Sequence, residues 1–165
     1  YCEMKAASTC ISLINSFPDK TELVEKLMPI VTEEWGHFRQ VVKELNDRGF
    51  ELGKQRKDHY VNKLLEFSKK GGSREDFLLE KLLISALIEA RSCERFKVLS
   101  ENIKDDYMKA FYRKFMESEA GHYALFMNLA LHYCDELKVR QRWAEYIEYE
   151  TDLMRNWEMR SDRIH

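Results

Sequence analysis

Twice in 165 residues the chain writes a glutamate and, three positions later, a histidine into a helical stripe of apolar residues: Glu34 and His37 in "TEEWGHF", then Glu119 and His122 in "ESEAGHY". Residues three apart share one face of an α-helix, so each pair can turn an oxygen and an imidazole toward a single point. Each pair is preceded by a further carboxylate in an apolar stripe, Glu3 lying 31 residues before Glu34 and Glu89 lying 30 before Glu119. An isolated ionised carboxylate in an apolar core is very costly unless it is paired, protonated or bound to metal. Four of them demand a cation. A lone Glu-x-x-His on a charged helix is common and means little. Two copies in matching register, with "CEMKAASTCISLI" falling on "IEARSCERFKVLS", read as an internal repeat that builds a site.

Six ligands of this kind, Glu3, Glu34, His37, Glu89, Glu119 and His122, are those of a ferritin-like di-iron or di-manganese carboxylate centre, each half supplying one metal. A donor set rich in carboxylate, with two imidazoles, suits iron or manganese better than zinc or copper. The expectation is two iron ions with dioxygen as co-substrate, Glu34 and Glu119 bridging and Glu3 and Glu89 terminal. Neighbouring groups fit less well. Glu94 lies five residues past Glu89, about 140° around the helix, and Glu33 shares a row with Lys26, Gln40 and Glu44, so both read as solvated or supporting charges. His59, His132 and His165 have no carboxylate at ligand spacing. Gly36 and Gly121, each one residue before a histidine, hint at close helix approach or at a relic of duplication.

Helical periodicity runs through most of the chain, and strand-like alternation is absent. The predicted elements are a first helix ending before Pro18 and a second opened by an Asp19–Glu22 capping pair and running to about Asn46. A short helix over roughly 57–70 follows, then a third long helix opened by Ser73 and Asp76. A fourth runs from about Ile103 to Tyr133, and a terminal helix from about Val139 to Asn156. Pro29 is expected to kink the second helix. These elements predict an all-α fold, a ferritin-like four-helix bundle with additional shorter helices, as one domain over residues 1–165.

Composition narrows the function classes. No apolar run approaches the roughly 20 residues that span a bilayer, so no membrane segment is expected. A formal net charge of −2 gives no global attraction to nucleic acid, and an RNA partner needs a local basic patch. Cys2, Cys10, Cys93 and Cys134 form no C-x-x-C pair and read as reduced thiols of a cytoplasmic protein. The absence of that motif also counts against a peroxidase with an attached Cys-rich iron site, so electrons are expected from another protein. Fold alone does not choose among ferroxidase storage, desaturation and hydroxylation.

The segments "CEMKAAST", "EEWGHF", "RGFELGK", "IEARSCERF" and "SEAGHY", with a closing "RIH", closely resemble the bacterial family of tRNA hydroxylases acting on 2-methylthio-isopentenyl-adenosine beside the anticodon. The resemblance covers nearly the whole chain, and "IEARSCERF" is its most specific piece. It implies a non-haem di-iron monooxygenase that hydroxylates the isopentenyl group of a tRNA substrate with dioxygen and electrons from a ferredoxin-type donor. The family's ligands fall on the same six positions. The alternative is a ferritin-like di-iron oxidase or ferroxidase acting on another substrate. Family members usually carry residues before the first Cys-Glu and after the last His, whereas this chain opens on Tyr1, so trimming of the N-terminus is expected. For tRNA, the basic residues Arg48, Lys54, Arg56 and Lys57 gather in one connector, with Lys69, Lys70 and Arg74 at the next, and Phe50 is placed to stack on a base.

Overall fold

Where the periodicity breaks, the chain turns. The computed structural model describes residues 1–156, and in it six helices follow in order: α1 (Cys2–Ser16), α2 (Thr21–Asp47), α3 (His59–Phe67), α4 (Arg74–Asn102), α5 (Asp106–Tyr133) and α6 (Glu136–Arg155). Among the described residues there is no strand, and no helix is long and apolar enough to cross a membrane. His165 and the closing Arg163-Ile164-His165 lie outside the described residues. Close contacts divide the chain into two compact units that part between Asp58 and His59.

The first unit is an α1–α2 hairpin. On α1 the expected stripe of Glu3, Ala7, Cys10 and Ile14 is met at Ala7 and Cys10, but Leu13 is buried where Ile14 is only half-buried, while Leu23, Leu27 and Ile30 carry the buried face of α2 toward Glu34. The predicted start at Asp19 is displaced: the N-cap of α2 is Lys20, which makes no side-chain cap bond. The Lys20 amide closes the turn on the Phe17 carbonyl at 3.1 Å, which delays the helix by one residue and leaves Lys20, without an acceptor side chain, at the N-cap. Pro29 stands inside α2, within an otherwise continuous helix. The other end of α2 matches expectation. Gly49 takes φ +75°, its amide bonds the Asn46 carbonyl, and the Phe50 amide reaches back to Leu45. This pair of bonds satisfies carbonyls that a helix end otherwise leaves open, and a side chain at Gly49 would strain that φ.

In the second unit α4 packs along α5. From Leu78 to Leu87 α4 is buried on nearly all sides, as an all-round apolar helix must be. Its start carries the predicted capping box: the Ser73 hydroxyl accepts the Asp76 amide at 3.1 Å, and the Asp76 carboxylate accepts the Ser73 amide at 2.8 Å. The short helix is tighter than predicted, because the Ser68 amide and hydroxyl close its last turn on Leu64 and Leu65. Asp105 caps α5 through the Met108 amide, so that helix begins three residues later than predicted, while Asp135 caps α6 through Lys138 and starts it three residues earlier. Phe115, Glu119, His122, Phe126 and Leu129 form the buried stripe of α5, in the predicted register.

Asp76 also pairs with Lys138, and this contact, followed by the Ser73 amide and hydroxyl, pushes its carboxyl down to about 2. A carboxyl depressed in the fold contributes stability above its unfolded value near pH 4, and that contribution is lost as pH falls toward 2. Asp76→Asn is therefore expected to flatten the acid limb of the stability curve between about pH 4 and pH 2, read by urea titrations across that range. Equal slopes in both proteins would remove Asp76 from the account.

Candidate metal centre

The Glu-x-x-His segments fold as ordinary helix, and helical spacing does the positioning. On α2 the Glu34 side chain is 1% and the His37 side chain 4% exposed, and His37 Nδ1 lies 3.8 Å from Glu34 Oε1. On α5 Glu119 and His122 repeat the arrangement, buried alike, with His122 Nδ1 3.9 Å from Glu119 Oε2. Both separations exceed hydrogen-bond reach. They fit within the roughly 4.2 Å that two ligands at about 2.1 Å from a common ion can span. Among the described residues, no hydrogen bond reaches these four facing atoms.

Glu89 is buried on α4, and Glu3 is the least covered of the six predicted ligands, its side chain 11% exposed. Cys93, one turn beyond Glu89, stands in the field of Glu119. Burial, then Glu119 and Glu94, push its thiol pKa up. Glu33 is exposed, and its Oε1 lies 3.9 Å from His37 Nε2, beside the ring nitrogen that turns away from Glu34. Glu94 is exposed and paired with Arg91. His59 and His132 are surface residues. The glycine expectation is corrected: a Cβ on Gly36 or Gly121 would meet nothing within 4 Å, so close packing does not explain either one.

Buried carboxylates alone did not distinguish the site. Glu80 and Glu150, which the sequence reading passed over, are as deeply buried as Glu89 and are filled by protein donors. Arg142 grips Glu80 with two bonds of 2.6 and 2.9 Å while Tyr146 donates to the same carboxylate, and Arg142 also donates to the Phe67 carbonyl at 3.0 Å. Glu150 Oε1 accepts from Tyr60 and from Arg91, the latter at 3.0 Å. Burial first, then the bond to Glu80 or Glu150, raises the pKa of Tyr146 and Tyr60, so both stay neutral donors. Burial opposes the Arg142 charge, but its bonds to Glu80 and Glu145 outweigh that and raise its pKa. The one sequence signal was Glu80 inside the apolar run "FLLEKLLISALIEA", a striped carboxylate without a histidine three positions later.

Among the described residues, Glu34 with His37 and Glu119 with His122 each set a buried carboxylate beside a buried imidazole, a donor pair suited to a metal ion. The predicted RNA residues Arg48, Lys54, Arg56 and Lys57 are all exposed in and beside the connector after α2, and Arg48 is ion-paired with Glu44. Lys69 is paired with Glu145 at 3.0 Å. Phe50 is 62% exposed.

Over residues 1–165 the chain matches the family described as tRNA-(MS2IO6A)-hydroxylase (MiaE). It is 34% identical over 138 residues to the tRNA 2-(methylsulfanyl)-N(6)-isopentenyladenosine(37) hydroxylase of Pseudomonas putida, covering 84% of this chain and 66% of that one. Identity to the hydroxylase of the same name from Salmonella typhimurium is 31% over 135 residues, covering 81% of this chain and 48% of the relative. The chain thus spans between about half and two thirds of the length of these relatives. Among solved structures, "Protein 43 with aldehyde deformylating oxygenase activity from Synechococcus" matches with a TM-score of 0.88 and 28% identity, over 96% of this chain and 78% of that one. The fold class is the one expected, all-α and ferritin-like, with shorter helices added to the long ones.

Proposed function

Since this chain belongs to the tRNA-(MS2IO6A)-hydroxylase (MiaE) family, we propose that it is the di-iron domain of a cytoplasmic tRNA-modifying monooxygenase. Its substrate is the isopentenyl group of a 2-methylthio-isopentenyl-adenosine in tRNA. The observation that carries this reading is the doubled Glu-x-x-His, buried on both α2 and α5, in a chain that matches the family from end to end. Glu3, Glu34 and His37 would hold one iron, and Glu89, Glu119 and His122 the other. When bound, the irons supply activation of dioxygen. The balance is one C–H bond, one dioxygen, two electrons and two protons giving one alcohol and one water.

The protein's own part is to hold ligands and exclude water. Phe115 and Phe126, buried one turn before Glu119 and one turn after His122, make that stretch of α5 dry on both sides. Glu33, beside Nε2 of His37, favours the ring orientation that keeps Nδ1 toward Glu34. The two electrons come from an external donor of the ferredoxin type.

Iron-loaded, reduced protein incubated with labelled dioxygen and tRNA carrying the prenylated base is expected to place one labelled oxygen in the nucleoside, read by mass spectrometry. The Synechococcus likeness favours one other reading, an oxygenase of a different small substrate on the same scaffold. Dioxygen consumption without label in the tRNA would decide for that second reading.

A further inference from the structure

We propose that Trp35 is a stacking platform for an unpaired RNA base, with the cations of the connector after α2 holding the adjoining phosphates. This rests on the reading that the substrate is RNA. Trp35 follows Glu34 directly on α2 and is 49% exposed, although its indole is one of the largest apolar groups in the chain. It does not stand alone. The Phe38 ring lies 5.2 Å from it, and the Tyr1 ring lies 6.3 Å from Phe38. The Tyr1 hydroxyl then donates to the Gly53 carbonyl at 2.8 Å. An aromatic row therefore runs from the helix that carries Glu34 and His37 into the middle of the connector.

That connector is basic in a chain that is not. Residues 48–58 contain Arg48, Lys54, Arg56 and Lys57 against Glu51 and Asp58, whereas the whole chain carries a net charge of −2. The four cations are exposed, and so is Phe50. A protein-binding patch would be depleted in lysine at its centre. An aromatic face beside a short cationic strap is instead the arrangement that binds single strands, because every base has a π-face and every linkage a charge. Duplex RNA has its bases already stacked and would leave the indole without a partner.

The test is fluorescence anisotropy of a labelled RNA hairpin with an adenosine-rich unpaired loop and no prenyl group, titrated with iron-loaded protein, so that binding is read without turnover. Trp35→Ala is expected to weaken binding about tenfold at unchanged salt dependence. Trp35→Phe retains most of the affinity. Replacing Lys54, Arg56 and Lys57 by Gln lowers the slope of log K against log salt by about 2. Circular dichroism checks that each variant keeps its helices. Wild-type binding with an unchanged Trp35→Ala variant overturns the platform and leaves the hydroxylase reading standing. A change of oligomeric size in Trp35→Ala, with no change in RNA affinity, overturns it in favour of a contact between copies. Absence of RNA binding by the wild type overturns it too, whereas the hydroxylase reading is decided separately by the labelled-oxygen experiment.

Discussion

In protein carrying Glu119→Ala, bound iron is expected to fall from about two per chain to one or fewer, and hydroxylation to drop by more than about 100-fold. Loss of one ligand from a half-site with three donors leaves His122 and Glu89, too few to hold an ion against water. Metal analysis and turnover should fall together, and retention of two irons would remove Glu119 from the ligand set. Iron is expected to raise the thermal midpoint of the wild type by mass action and to leave that of Glu119→Ala nearly unchanged.

Arg142→Ala is expected to be the most damaging substitution away from the metal ligands. It leaves the Glu80 carboxylate buried without its guanidinium, removes a bond to Phe67, and takes away the cation that lies 4.6 and 4.4 Å from the Phe67 and Tyr146 ring centres. Breaking one side of a buried ion pair costs about 3–5 kcal/mol. For a domain of this size that is a fall of about 10–15 °C in thermal midpoint. The control separates charge from packing. Replacing Glu80 and Arg142 together by Leu should recover most of the loss, because no buried charge is left without its counter-ion. Calorimetry of the two variants decides, and equal midpoints would mean that the pair's packing, and not its charge, holds α6.

What could be read from sequence was what helical geometry fixes locally. The Glu34–His37 and Glu119–His122 pairs, the α5 stripe and the Ser73–Asp76 box depend on residues three or four apart, and all formed. The start of α2 fell one residue past the expected Asp19 cap for an equally local reason that propensity does not see, the turn closed by the Lys20 amide on the Phe17 carbonyl. The partners of Glu80 and Glu150 were illegible. Arg142 is 62 residues from Glu80, and Tyr60 is 90 from Glu150. Nothing in the stripe of α4 says whether a buried carboxylate will meet a guanidinium or a metal. For Glu34 and Glu119 the histidine three positions on carried that information, whereas Glu89 and Glu80 share a helix and neither has one, so only the internal repeat set Glu89 apart. The two glycines misled because repetition looked like a packing demand, and the structure leaves open space at both.

The polar character of α6 bears on how the protein responds to temperature. Its buried face carries Val139 and Tyr146 but also Arg142 and Glu150, so much of its adhesion is ionic. Apolar adhesion weakens on cooling. The dehydration cost of charged pairs falls on warming. The α4–α5 core, lined by leucine and phenylalanine, and the ion-clamped α6 therefore both tighten on warming from the cold, but the apolar contribution levels off while the clamp on α6 keeps gaining.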